Sequence, residues 1–433
     1  MKQQAKQQTY NWLLVLLMVI MALRITSYFT LFPNSIGLTR IVKVGMRFFL
    51  TGFSLVLLVI MIRRIKDFSF GYKNHLSGLF YLAYALLGVC SILWSTDVMF
   101  TVLQLMMLME SILFAMAFYH LLVLGSFLTK GRASLARILA VSISVISICF
   151  LVGLYLDPST FYRDTHGGAV SRLGGFIINP NELGMLAVIG ASMTYIRMRE
   201  GAGLFWNIIF WGICVAVLLL TQSRSSLGAF LLVTGLFILL SKSAWLKIGS
   251  IGIAVIVLPI LVQTIIIKDG DVGEVMSMTG RLPFWSDLIK YGFPERPILG
   301  YGFMSISDSP FTNKFDSIHA YAASMTHNTF VQVLINLGLV GAFICIIQMF
   351  LTFFAIAKST DLTLKLTAIA MLIPLLINSA TEFGIFGEAN YGIYFYHLVI
   401  LLFIVKSGTV EPNVSSPSPH LVFLKEGQPT DTL

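Results

Sequence analysis

Runs of about twenty apolar residues, separated by short polar or basic links, recur along this chain. A run of that length matches a helix crossing the hydrocarbon layer of a bilayer. Inside lipid no water is available to the backbone, so each run must close its own hydrogen bonds as a helix. The runs are Trp12–Phe32, Val42–Ile62, Leu76–Trp94, Val98–Leu124, Leu135–Leu156, Glu182–Ile196, Leu204–Leu220, Ser225–Leu240, Leu246–Ile267, Asn328–Ala357, Leu362–Thr381 and Tyr391–Val405. They predict an all-α polytopic membrane protein with roughly twelve transmembrane helices and one long loop, 268–327, outside the cytoplasm. Only 11% of the residues are charged, against about 25% in soluble domains.

Basic residues set the expected orientation. With both termini cytoplasmic, the inner segments hold Lys2 and Lys6; Arg63, Arg64, Lys66 and Lys73; Lys130, Arg132 and Arg137; Arg197 and Arg199; Lys242 and Lys247; Lys358 and Lys365; Lys406 and Lys425. Short inner loops rich in Lys and Arg are the common topological signal. The net charge of +9 is therefore read as loop bias, and nucleic acid is not an expected partner. Cys90, Cys149, Cys214 and Cys345 lie inside apolar runs, with neither disulfide nor metal-site spacing. The chain divides into N-terminal helices (1–173), a transmembrane catalytic region (174–405) and a tail (406–433) that is rich in Pro, Ser, Thr and Gly and is expected to be disordered.

Three outer segments carry the candidate chemistry. The first, Asp157 to Glu182, holds Arg163, His166, Arg172 and Asn179-Pro180-Asn181-Glu182. Asn-Pro-Asn before an apolar run also reads as helix initiation. The second is Thr221-Gln222-Ser223-Arg224-Ser225-Ser226, between two strongly apolar helices. A charge near the membrane marks a site or an ion pair unless it snorkels, and the small residues allow close approach of another helix or a ligand. The third is the loop. Arg281 opens a short amphipathic helix with Leu282, Trp285, Leu288 and Ile289 on one face, suited to the membrane interface. Pro297-Ile298-Leu299-Gly300-Tyr301-Gly302 forces an irregular turn, and His327-Asn328 stands where the chain re-enters the membrane.

Guanidinium groups are permanently charged and bind phosphate oxygens in pairs. Histidine exchanges a proton near neutral pH. Several outer arginines with one histidine, and no metal-ligand cluster, point to metal-free transfer from a diphosphate leaving group. No cofactor is implied.

The ordered set Thr221-Gln222-Ser223-Arg224-Ser225, Gly280-Arg281 with Trp285, Pro297 to Gly302, and His327-Asn328 followed by Gly338-Leu339-Val340-Gly341 resembles the O-antigen ligase and polymerase family. Gly175 to Asn181 resembles the family's upstream segment, and the likeness covers about 174–381. The resemblance implies a GT-C-like, inverting, metal-independent glycosyltransferase in the bacterial inner membrane. Its donor would be an undecaprenyl-diphosphate-linked glycan and its acceptor a hydroxyl on a glycan or lipid. Membrane lipid surrounds it, and a chain-length regulator or flippase is a candidate partner.

By the same resemblance His327, Arg281 and Arg224 are catalytic: the arginines hold diphosphate, and His327 acts as base on the acceptor or orients it. Arg172, Asn181, Trp285, Arg296, Asn328 and Glu382 are candidate substrate-binding residues, with Glu382 also placed to pair with an arginine. Many members carry an acid just before the Leu-Gly-Leu stretch, where this chain has Asn336, which leaves the support of His327 open. Polymerase is favoured slightly over ligase. The rival reading is a flippase or transporter of the same lipid-linked glycan, for which Arg24, Arg47 and Glu110 are the mid-membrane charges.

Overall fold

The computed structural model describes residues 10–65, 68–73, 76–165, 170–245, 247–252, 263, 281–305, 326–382, 384–387 and 390–409. Helices appear in eleven of the twelve expected runs: α1 Asn11–Thr26, α2 Ile36–Arg64, α3 Leu76–Cys90, α4 Val98–Leu128, α5 Leu135–Leu156, α7 Pro180–Arg199, α8 Leu204–Thr221, α9 Arg224–Leu239, α11 Thr329–Lys358, α12 Leu362–Thr381 and α13 Tyr391–Ile404. Two short helices, α6 Pro158–Phe161 and α10 Arg281–Asp287, lie outside these runs. The run 246–267 falls mostly outside the described residues.

Among the described residues, seven helices are long and apolar enough to cross a membrane: α2, α3 with the turn that extends it, α4, α5, α8, α11 and α12. Seven of the expected spans meet that measure. The helices α1, α9 and α13 are apolar but short, below the ~20 residues a perpendicular crossing needs. Hydropathy sees their composition and misses that they end early.

The outer helices and the inner ones differ in what they bury. The aliphatic and aromatic face of α11, with Phe343, Ile346 and Phe350, is exposed, as a lipid-facing surface should be. By contrast Tyr391 to Phe403 of α13 is buried throughout. α7 is nearly as enclosed, packed against α5, α8, α9 and α12. At Gly184 of α7 an added Cβ would meet Ser226 Oγ of α9 at 2.7 Å. The small residues of the Ser223–Ser226 stretch thus serve helix approach.

One cluster of charge lies among the helices. Arg24 Nη1 and Nη2 reach Glu110 Oε1 and Oε2 at 2.6 and 2.9 Å, and Arg47 Nη2 reaches Oε2 at 3.0 Å. Arg24 is fully buried and stacks over Phe114, 4.4 Å from the ring centre. The three charges expected along a transport path are bound to one another, which suits a structural tie between α1, α2 and α4.

Two antiparallel ribbons lie among the described residues. β1 Phe68–Tyr72 pairs with β4 Val405–Thr409, with Gly71 opposite Lys406. The tail expected to be disordered from 406 therefore begins as a strand; residues from 410 lie outside the described set. β2 Tyr162–Thr165 pairs with β3 Val170–Leu173, with Arg163 opposite Arg172.

α11 is not continuous in geometry. Gly338 has φ +63° within it. Across this break lies the Pro297–Gly302 turn: Leu339 N donates to Pro297 O at 2.9 Å, Val340 N to Ile298 O at 3.2 Å, and Gly302 N to Asn336 O at 2.8 Å. A Cβ on Gly338 would sit 2.3 Å from Ile298 O, so only glycine admits the turn. The other side of the turn rests on the α3–α4 link: Phe303 N donates to Ser91 Oγ at 2.9 Å and Thr101 Oγ1 to Phe303 O at 2.7 Å.

Candidate active site

The site is built from chain ends that hydropathy alone would treat as helix termini. α7 starts as the Asn-Pro-Asn reading expects: Asn179 caps it, its Oδ1 accepting from Asn181 N at 2.9 Å, with Pro180 in the first turn. That leaves the Asn181 side chain for other work. Its Oδ1 accepts from Arg172 Nη2 at 2.6 Å, and its Nδ2 donates to Glu382 Oε1 at 2.9 Å. The amide bridges a cation and a carboxylate.

Arg172 also donates from Nε to Thr221 O at 2.9 Å, tying β3 to the end of α8. Arg224 opens α9 behind its Ser223 cap, whose hydroxyl accepts from Ser226 N. Ser226 Oγ in turn donates to Asn181 O at 3.0 Å. Burial pushes the Arg172 pKa down to about 10, with help from the charges of Arg163, Arg224 and Arg281, against the opposing pull of Glu382. It stays protonated at neutral pH; burial is the main cause of the shift and the neighbouring guanidinium groups add to it.

Glu382 is the hub. It follows α12 with only 3% of its surface exposed. Its Oε1 receives Arg281 Nη2 at 2.8 Å, and its Oε2 lies 2.6 Å from His327 Nδ1. Arg281 Nη1 also donates to Thr381 O. Burial would raise the Glu382 pKa, but the hydrogen bond from His327 and the charge of Arg281 outweigh it and hold the carboxyl below its ordinary value.

His327 has φ +47°, an uncommon conformation for a side chain with a Cβ that concentrates at functional sites. Its neighbours hold it there. Asn328 caps α11, Oδ1 accepting from Phe330 N at 2.9 Å and Val331 N at 3.0 Å, while its Nδ2 donates to Ala380 O at 3.1 Å. Trp285 Nε1 donates to Thr326 O at 2.6 Å. With Nδ1–H given to the carboxylate, Nε2 is the basic nitrogen of the ring.

The structure therefore brings Arg172, Asn181, Arg281, His327 and Glu382 into one network, with the charge of Arg224 acting on Arg172. Asn328 and Trp285 flank it through the backbone. Trp285 is buried with Phe284, Leu288, Tyr301 and Ile335, while Leu282 and Ile289 are exposed. The expected interfacial face of α10 is thus half displaced: the helix passes into a π turn at Leu288, which breaks the 3.6-residue period. Arg296 stands apart. It donates to Trp94 O at 3.2 Å and lies 5.2 Å from the Tyr301 ring centre, within the turn that crosses Gly338. Asn336, at that same break, accepts Gly302 N on its carbonyl. The carboxylate that meets His327 is Glu382, a link no local spacing could reveal. His166 and His319 lie outside the described residues.

Residues 208–346 match the family model described as O-Antigen ligase. Over that segment the chain is similar to the O-antigen ligase family. No curated protein matches it. The O-antigen ligase match includes Arg224, Arg281 and His327, whereas Arg172, Asn181 and Glu382 fall outside its bounds. The match supports activity of the broad O-antigen ligase and polymerase type, and the apolar helices are those of a multi-pass membrane protein.

Proposed function

We propose that this protein, set in a bacterial inner membrane with both its termini cytoplasmic, transfers a glycan from a lipid-linked diphosphate, of the undecaprenyl kind, to an acceptor hydroxyl outside the cytoplasm. The observation that carries this reading is Glu382 joining His327 to Arg281. It sets a proton acceptor beside a phosphate-binding cation. His327 Nε2 takes the proton of the acceptor hydroxyl. The oxygen attacks the anomeric carbon of the donor sugar, and the bond to the diphosphate breaks with its electron pair leaving on oxygen. Arg224, Arg281 and Arg172 stabilise that leaving charge. Glu382 steadies the imidazolium and is a positioning residue. A single displacement of this kind inverts the anomeric centre and requires no metal.

The favoured acceptor is a second lipid-linked glycan, which makes the enzyme a polymerase of a surface polysaccharide in a GT-C-like frame. Arg296, Trp285 and Asn328 then border the substrate without taking part in proton transfer. The flippase alternative draws no support from the buried Arg24–Glu110–Arg47 group, in which both arginines are held by one carboxylate.

The test is purified protein in proteoliposomes with an undecaprenyl-diphosphate oligosaccharide and a metal chelator. Chain growth is expected, nearly lost in Arg224→Ala, Arg281→Ala and His327→Ala. Growth at the wild-type rate in all three would sink the site assignment. Movement of substrate between leaflets without a new glycosidic bond would sink the reaction, and transfer only to a non-repeating acceptor would replace polymerase by ligase.

A further inference from the structure

α11 and α12 meet at 359–361, at the ends opposite His327 and Glu382. The 20 residues of α12 rise about 30 Å at ~1.5 Å each, the thickness of the hydrocarbon layer. The joint therefore lies on the membrane face away from the candidate active site. A cavity of about 880 Å³ opens there, within the size range of ligand sites, roughly 300–1,000 Å³.

Four lysines from four separate segments line it. Lys73 follows β1, Lys130 follows α4, Lys358 ends α11, and Lys406 lies in β4. The β1–β4 pairing, with Gly71 opposite Lys406, is what brings two of them to the same wall. Asp361 is the single carboxylate among the lining residues described, and its Oδ1 accepts Leu364 N at 3.0 Å as the cap of α12. Apolar side chains, Leu122, Phe127 and Leu402 among them, line the same cavity. Lysines and apolar side chains in one cavity, at the level where helices leave the membrane, match an amphiphile with an anionic head. A freely soluble anion would gain nothing from the apolar side.

We infer that this cavity binds the phosphate headgroup of an anionic membrane lipid. The ammonium groups of Lys73, Lys130, Lys358 and Lys406 hold the phosphate oxygens, and Leu122, Phe127 and Leu402 border the glycerol and the first methylenes. Basic pockets between helix ends are suited to such headgroups. The inference does not depend on the reaction assigned at the other face.

The experiment is native mass spectrometry of the full chain in detergent, titrated with phosphatidylglycerol or phosphatidylcholine of the same acyl chains. Wild type should prefer phosphatidylglycerol about tenfold or more, given four lysines near the headgroup. Replacing Lys73, Lys130, Lys358 and Lys406 together by Gln should abolish the preference, and replacing them by Arg should keep it. Replacing Arg63, Arg64, Lys242 and Lys247 by Gln, outside the cavity, should also keep it. No preference in wild type overturns the site, and this arm stands even if the Gln variant does not fold. Equal loss in the outside control reduces the effect to overall charge and overturns it too. Displacement of the lipid by millimolar inorganic phosphate would assign the cavity to a free anion and overturn the lipid assignment.

Discussion

His327 Nδ1 and Glu382 Oε2 lie 2.6 Å apart, joined across 55 residues of chain. The pair links the start of α11 to the end of α12, two antiparallel helices whose other ends are connected directly. The same carboxylate holds Arg281, so one side chain fixes the proposed base and the proposed phosphate-binding cation together.

Replacing Glu382 by Gln keeps the shape and removes the charge that steadies the imidazolium. The expected result is a fall in kcat of about 10²-fold or more with a smaller change in KM for the donor, His327→Ala losing about 10²–10⁴-fold. Steady-state kinetics in proteoliposomes check this. A Glu382→Gln enzyme that loses donor affinity at unchanged kcat would show that the carboxylate acts on binding.

The Glu382 carboxyl also makes acid stability testable. Burial alone would raise its pKa, but His327 and Arg281 together hold it below 4.5. As pH falls, the unfolded chain takes up this proton before the folded one does. The contribution is therefore complete above 4.5 and is lost as pH drops through the lower folded value. Melting temperatures in detergent, measured from pH 7 to 3, should fall more steeply for wild type than for Glu382→Gln. Parallel curves would assign acid sensitivity to other groups.

Gly338→Ala should be costly. Its φ is +63° and the new methyl would lie 2.3 Å from Ile298 O, so a loss of at least about 1–3 kcal/mol is expected. Gly52→Ala is the control: nothing lies within 4 Å of its added Cβ, and in a helix interior the change should stabilise by up to about 1 kcal/mol. Unfolding in mixed micelles reads both, and equal stability of the two variants would discount the break in α11 as a constraint.

Glu110→Ala leaves Arg24 and Arg47 buried without their shared carboxylate. Breaking such a group should cost about 3–5 kcal/mol, measured by the same unfolding assay. A variant as stable as wild type would mean that water or lipid phosphate reaches the two arginines.

Hydropathy made the helices legible, and for α5 and α12 even their ends agree: Leu135–Leu156 and Leu362–Thr381. It could not show that α1, α9 and α13 are too short for a simple crossing, because composition carries no packing. The pairing of β1 with β4 was hidden for a different reason: each strand has five residues, and their partnership spans most of the chain. Arg224, Arg281 and His327 announced themselves through residue type beside apolar runs. Glu382 was named among the candidates, but its rank was not visible. A lone acid after an apolar helix has no local signature; only the folded positions of residues 181, 281 and 327 make it the centre.

The turn across Gly338 has a further consequence for how such proteins diversify. Residues 297–303 are fastened to α11 and to the α3–α4 link, and Thr326 is fastened by Trp285 on the far side of the loop. These contacts fall on the main-chain carbonyls of Pro297, Ile298 and Thr326. A change of side chain at Ile298 or Thr326 therefore leaves the fastening in place, and the sequence there is free to vary while His327 keeps its seat.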